Sequence, residues 1–183
     1  MKKAILIALT LLAAVPALPA RAEAGPLTLV LAGSSGNDAF HVSLTADGRY
    51  YLILSVAPLE VGGDICTHPN EIPNEIECKA PAISGFEVNT LGGSDFVTFS
   101  SDVPVPVTIR GGPGGDRLIG GGAADKIIGG PDDDTLIGQG GDDWILGGAG
   151  NDRLLGGAGN DQLRGGPDKD KLVGGPGQNL LLQ

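Results

Sequence analysis

GGAGNDRLLGGAGNDQLR, residues 147–164, states nearly the same nine residues twice. Each copy opens on small residues, reaches one aspartate at its sixth position and one leucine at its eighth. The same phase governs the surrounding chain. From Gly111 to Leu182 the sequence divides without insertion into eight nonads: GGPGGDRLI, GGGAADKII, GGPDDDTLI, GQGGDDWIL, GGAGNDRLL, GGAGNDQLR, GGPDKDKLV and GGPGQNLLL. The first position is glycine throughout. The sixth is Asp116, Asp125, Asp134, Asp143, Asp152, Asp161 and Asp170, then Asn179; the eighth is Leu118, Ile127, Leu136, Ile145, Leu154, Leu163, Leu172 and Leu181.

A fixed period of this kind is the mark of stacked repeats. The last three residues of each nonad alternate as a short strand does, with the middle side chain inward and its neighbours outward. The first six read as a turn, in which glycine allows positive φ and close approach of neighbouring backbones. Proline at the third position (Pro113, Pro131, Pro167, Pro176) suits a turn that needs no N–H there. Two nonads then make one coil of eighteen residues, and stacked coils place two parallel sheets back to back around the eighth-position side chains. A helix is excluded, because the apolar residues recur every nine and not at three and four. A disordered glycine-rich linker has no reason to hold an aliphatic residue in one phase eight times.

Alternate nonads share an edge of such a stack. One edge carries Asp116, Asp134, Asp152 and Asp170; the other carries Asp125, Asp143, Asp161 and Asn179. Coils stack about 4.8 Å apart, and carboxylates at that separation repel by roughly 3 kcal/mol per pair at an effective dielectric of 20. A cation between them turns repulsion into attraction. Carboxylates together with glycine carbonyls form a hard oxygen cage, which suits Ca²⁺ better than Mg²⁺ or a transition metal.

These nonads resemble the G-G-x-G-x-D-x-U-x repeats of RTX, or haemolysin-type, calcium-binding proteins. The resemblance covers residues 111–182. It implies a right-handed parallel β-roll, a β-solenoid, with Ca²⁺ between successive turns on each edge. The ligands it implies are Asp116, Asp125, Asp134, Asp143, Asp152, Asp161 and Asp170, with turn backbone atoms completing each cage. Asn179 departs from the pattern, as do Gly122-Ala123-Ala124 and Gln139. Asp132, Asp133, Asp142 and Asp168 occupy other turn positions and read as solvated charges. Arg117, Lys126, Arg153 and Lys171, at the seventh position, read as outward counter-charges, and Trp144 as a surface strand aromatic. The apolar ninth positions (Ile119, Ile128, Ile137, Leu146, Leu155, Val173 and Leu182) read either as strand formers or as a contact surface for another chain.

Residues 25–110 also read as β. Candidate strands are LTLVLA from Leu27, AFHVSL from Ala39, YYLILSVA from Tyr50, FEVNT from Phe86, DFVTFS from Asp95 and PVTIR from Pro106. GSSGNDAFH from Gly33 fits the nonad in part, and GGSDFVTF from Gly92 is a shortened match. The roll is therefore expected to begin before Gly111, as a degenerate β-rich cap, with Asp95 facing Asp116 as a further ligand and Asp38 as a weaker candidate. Cys66 and Cys78 are the only cysteines. They read as a disulfide closing a loop, with zinc bound through Cys66, His68 and Cys78 as the competing reading.

Residues 1–24 read as a secretory signal peptide: Lys2 and Lys3, an apolar run from Ala4, and small-x-small sites at Ala20–Ala22 and Ala22–Ala24. The run is shorter than a membrane span needs. The net charge of −10 argues against nucleic acid. No G-x-S-x-G or H-E-x-x-H motif accompanies His41 and His68, the only histidines, so no enzyme is expected. The sequence thus predicts an all-β, secreted, calcium-binding β-roll. An adhesive or surface-layer component, with self-association or a cell-surface partner, is the alternative.

Overall fold

The computed structural model describes residues 5–6, 27–46, 48, 50–55, 59–60, 66–67, 75–79 and 83–183. All its regular elements are strands. Ahead of the repeats lie β1 (Ile5–Leu6), β2 (Leu27–Ala32), β3 (Ala39–Leu44), β4 (Tyr50–Ser55), β5 (Leu59–Glu60), β6 (Cys66–Thr67), β7 (Glu75–Lys79), β8 (Ile83–Asn89), β9 (Phe96–Phe99) and β10 (Val107–Arg110). The repeats supply β11 (Arg117–Ile119), β12 (Lys126–Pro131), β13 (Thr135–Gly140), β14 (Trp144–Ala149), β15 (Arg153–Ala158), β16 (Gln162–Arg164), β17 (Lys171–Val173) and β18 (Leu180–Leu182). The signal-peptide reading falls almost wholly outside the described residues, as does His68.

From β8 onward successive strands alternate between two sheets, as a two-nonad coil requires, while β1 and β5 pair separately. The first sheet runs β18-β16-β14-β12-β10-β8-β2, parallel throughout. The second runs β17-β15-β13-β11-β9-β3 in parallel and then continues β4-β7-β6 in antiparallel pairs. The chain is therefore a parallel β-solenoid, a β-roll, extended on one sheet by an antiparallel segment inserted between β3 and β8. Both sheets continue across Gly111 into the repeats, because β10 pairs with β12 and β9 with β11. Partner residues across repeat strands are eighteen apart, for example Leu118 opposite Leu136 and Ile127 opposite Ile145.

In the middle repeats, β12 to β15, the ladders run further than three residues per nonad. Gly130 pairs with Gly148 and Pro131 with Ala149, so the start of the turn is itself hydrogen-bonded strand. Proline is tolerated at this third position because it ends the ladder.

Leu118, Ile127, Leu136, Ile145, Leu154 and Leu163 are fully buried between the sheets. Each contributes about 1.5–3 kcal/mol by leaving water. Leu172 is half-buried, and Leu181 is 45% exposed in the last coil. Ahead of the repeats the same space holds Leu29, Leu31, Phe40, Val42, Val97 and Ile109. It also holds an aromatic cluster in which Tyr51 meets Phe86 edge-on at 4.9 Å and Phe86 meets Phe99 at 5.2 Å. Cys66 lies directly opposite Cys78 in the β6–β7 register.

Candidate metal centre: two carboxylate ladders

The turns lie on two edges. Edge I takes the chain from the first sheet to the second, and edge II takes it back. Both are edged by carboxylates. On edge I, the backbone N–H of Asp38 donates to Oδ1 of Asp95 (2.7 Å), Asp95 to Asp116 (2.8 Å), Asp116 to Asp134 (2.8 Å), Asp134 to Asp152 (2.9 Å) and Asp152 to Asp170 (2.9 Å). On edge II the donors are Val107 to Asp125 (2.8 Å), Asp125 to Asp143 (2.8 Å), Asp143 to Asp161 (3.0 Å) and Asp161 to Asn179 (2.8 Å). Every sixth-position aspartate thus gives one oxygen to the coil before it. Asp95 and Asp38 stand in the same ladder as the repeat aspartates, and Asn179 fits because only an acceptor oxygen is needed there.

The second oxygens differ. Oδ2 of Asp95, Asp116, Asp134, Asp143, Asp152, Asp161 and Asp170 is buried without a hydrogen-bond partner. Burying even one such oxygen unmatched is costly. In the six repeat turns this oxygen sits beneath the first-position glycine of its own turn. A Cβ added to Gly129 would collide with Asp134 Oδ2 and lie 2.8 Å from the carbonyl oxygen of Gly147 in the next coil. The same pair of oxygens recurs under Gly111, Gly120, Gly138, Gly147 and Gly156. Glycine is needed here because any side chain would fill this cradle.

The cradle's chemistry is that of a hard cation: a carboxylate oxygen and a carbonyl oxygen converge, with no nitrogen or sulfur ligand present. Among the described residues no three His, Cys, Asp or Glu side chains converge. An ion would therefore be held by carboxylates together with backbone carbonyls.

Burial is the main cause of the electrostatic strain. It raises the Asp134 and Asp143 carboxyls to about 7 and those of Asp116 and Asp125 to about 6. The amide donated from the preceding coil opposes it in each case. Neighbouring carboxylates raise Asp116, Asp134 and Asp143 further, but as a smaller effect. Burial likewise raises Asp95 and Asp152. Desolvation, more than the repulsion between coils expected from the spacing alone, makes these edges demand a counter-charge.

Three of the turn acids read as solvated charges have structural partners. Asp133 Oδ1 accepts the N–H of Asn151 (2.7 Å), Asp142 Oδ1 that of Asn160 (2.7 Å) and Asp132 Oδ2 that of Gly114 (3.1 Å). The fifth-position ladder runs opposite to the sixth: here each later coil donates back to the earlier one. Asp132 and Asp168 hold the left-handed backbone (φ 82° and 86°) that glycine holds in sister turns. Lys126 Nζ lies over the Trp144 ring at 4.9 Å, so this aromatic pairs with a neighbouring strand. His41 lies half-buried on β3, beside Thr98 of β9.

Sequence reasoning missed three donors. Ser34 closes on Asp38 through its N–H (2.6 Å) and Oγ (3.2 Å). Thr90, fully buried at the first turn position, donates Oγ1 to the Gly111 carbonyl (2.8 Å). Gln139 donates Nε2 to the carbonyls of Phe99 (2.7 Å) and Gly120. Their signal is a hydrogen-bonding side chain at the first or second turn position, where the register calls for glycine.

Residues 110–145 and 146–181 match the family described as RTX calcium-binding nonapeptide repeat (4 copies). Together the two matches cover the eight nonads except Leu182. The repeat region matches this family, and these repeats imply Ca²⁺ as the ion they bind. No curated protein and no solved structure matches it. Among the described residues no helix is long and apolar enough to cross a membrane.

Proposed function

We propose that this chain is a secreted protein whose nonapeptide repeats order when Ca²⁺ enters the edge cradles. Seven buried, unpartnered aspartate oxygens carry the reading. Asp95, Asp116, Asp134, Asp143, Asp152, Asp161 and Asp170 would each offer Oδ2, and first-position carbonyls would offer further oxygens. Bound Ca²⁺ supplies the positive charge that these desolvated carboxylates lack. Without it the ionised oxygens and the entropy of a glycine-rich chain oppose folding. Far-UV circular dichroism during a Ca²⁺ titration with EDTA reversal tests this. β signal should rise with Ca²⁺ and fall with EDTA; an unchanged signal in EDTA would overturn the reading.

Secretion is supported by the sequence of residues 1–24 and by the family. N-terminal sequencing of protein recovered from medium should begin at Glu23 or Gly25. A Cys66–Cys78 bridge suits that compartment. Opposed residues of an antiparallel pair have Cα atoms about 4.5–5.5 Å apart, within disulfide reach. Mass spectrometry before and after reduction tests it.

A calcium-dependent adhesive or surface-structural role is the second reading. Val173, Leu180, Leu181 and Leu182 are 41–51% exposed on β17 and β18, the edge strands of the two sheets, and exposed edges invite pairing. Light scattering should show calcium-dependent self-association; a strict monomer at every Ca²⁺ level would remove this reading.

A further inference from the structure

We propose that Gln139 takes the place of a cation at the first regular turn of edge II, so that the turn at residues 120–125 closes on protein donors alone. The proposal rests on the calcium reading above and concerns where filling starts. The second position is glycine in the other seven nonads. Gln139 nevertheless adopts the left-handed backbone (φ 81°), a conformation that disfavours a side chain.

Its carboxamide accounts for that departure. Nε2 bonds the carbonyls of Phe99, forty residues earlier, and of Gly120. These are equivalent positions in successive edge II turns, because Thr98 pairs with Ile119 immediately before them. Nε2 is therefore wedged between stacked turn carbonyls, bringing two N–H donors and a partial positive charge.

The carboxylate of the same turn is satisfied as well. Asp125 Oδ1 accepts from Val107 N–H (2.8 Å), and Oδ2 accepts from Gly121 N–H (2.5 Å). The other six repeat aspartates each keep an unpartnered buried Oδ2. Both Asp125 oxygens and the Phe99 and Gly120 carbonyls thus accept from amide groups of the chain, which leaves an ion no bare carboxylate oxygen at this turn. Calcium binding on edge II then begins at Asp143. The coil below it is closed in advance, giving the metal-dependent coils a preformed surface to stack on.

The test is the number of Ca²⁺ equivalents bound by the full chain, measured by equilibrium dialysis with atomic absorption. Circular dichroism at saturating Ca²⁺ confirms that each variant is folded. Asp125→Asn should bind as many equivalents as the wild type, and Asp143→Asn should bind one fewer. Gln139→Gly, which restores the repeat pattern and suits the left-handed backbone, should bind one more. Loss of an equivalent on Asp125→Asn, or an unchanged count for Gln139→Gly, would overturn this inference alone. No uptake by the wild type would overturn it together with the functional reading.

Discussion

The coils ahead of Gly111 and those after it share one backbone path but differ in what satisfies them. The early coils enclose Phe40, Tyr51, Phe86 and Phe99, large side chains that bury much area per residue. Asp38 there is closed by Ser34, and of the described early residues Asp95 alone keeps a bare buried Oδ2. The later coils enclose one aliphatic side chain per nonad and leave a buried carboxylate oxygen unmatched in six of their turns. The same solenoid can therefore be held by apolar burial at one end and by an added charge at the other. A core too thin to offset glycine entropy leaves stability to the ligand.

The sharpest way to break this comparison is to remove calcium. In EDTA at neutral pH, amide hydrogen exchange should lose protection throughout residues 129–182 while β2, β3, β8 and β9 stay protected. Uniform protection along the chain would mean that the two regions are alike.

Acid should replace the metal. The Asp134 and Asp143 carboxyls are raised from 3.8 to about 7 in the folded chain, so the folded state holds protons that the unfolded state releases. Stability from this source is complete below about pH 4 and lost as pH rises through about 7. Calcium-free protein should keep its repeat β signal at pH 4 and lose it at pH 8. The opposite trend in a pH titration monitored by circular dichroism would refute the burial argument.

Core truncations should separate the regions next. Phe86→Ala is expected to cost about 3–5 kcal/mol in denaturant titrations with or without calcium. Leu154→Ala should cost about 2–5 kcal/mol with calcium and nothing measurable in EDTA, where its coil is already open.

The smallest effect belongs to the outer ladder. Asp133→Asn keeps an acceptor for Asn151 at an exposed position, and should change calcium-loaded stability by less than about 0.5 kcal/mol in the same titration.

Much of this was legible in the residues. The nine-residue phase set the two edges, the inward ladder and the sixth-position aspartates, and GGSD set Asp95 facing Asp116, while GSSGND marked Asp38 only as a weaker candidate. The inserted pairs β3–β4, β4–β7 and β6–β7 were not legible as an extension of one sheet. Alternating strands announce that they pair, not with which neighbour or in which direction. The partners of Asp133 and Asp142 escaped for a similar reason, since an exposed acid reads as solvated until its neighbour in the next coil is known.

The chain alone determined a stack, because each repeat is too small to bury its own side chains and must meet its copies at a fixed spacing. Which oxygens that stack leaves bare was decided only in three dimensions. A hydrogen bond depends on where a donor ends up, and Gln139 reaches across two coils to carbonyls that no local pattern associates with it.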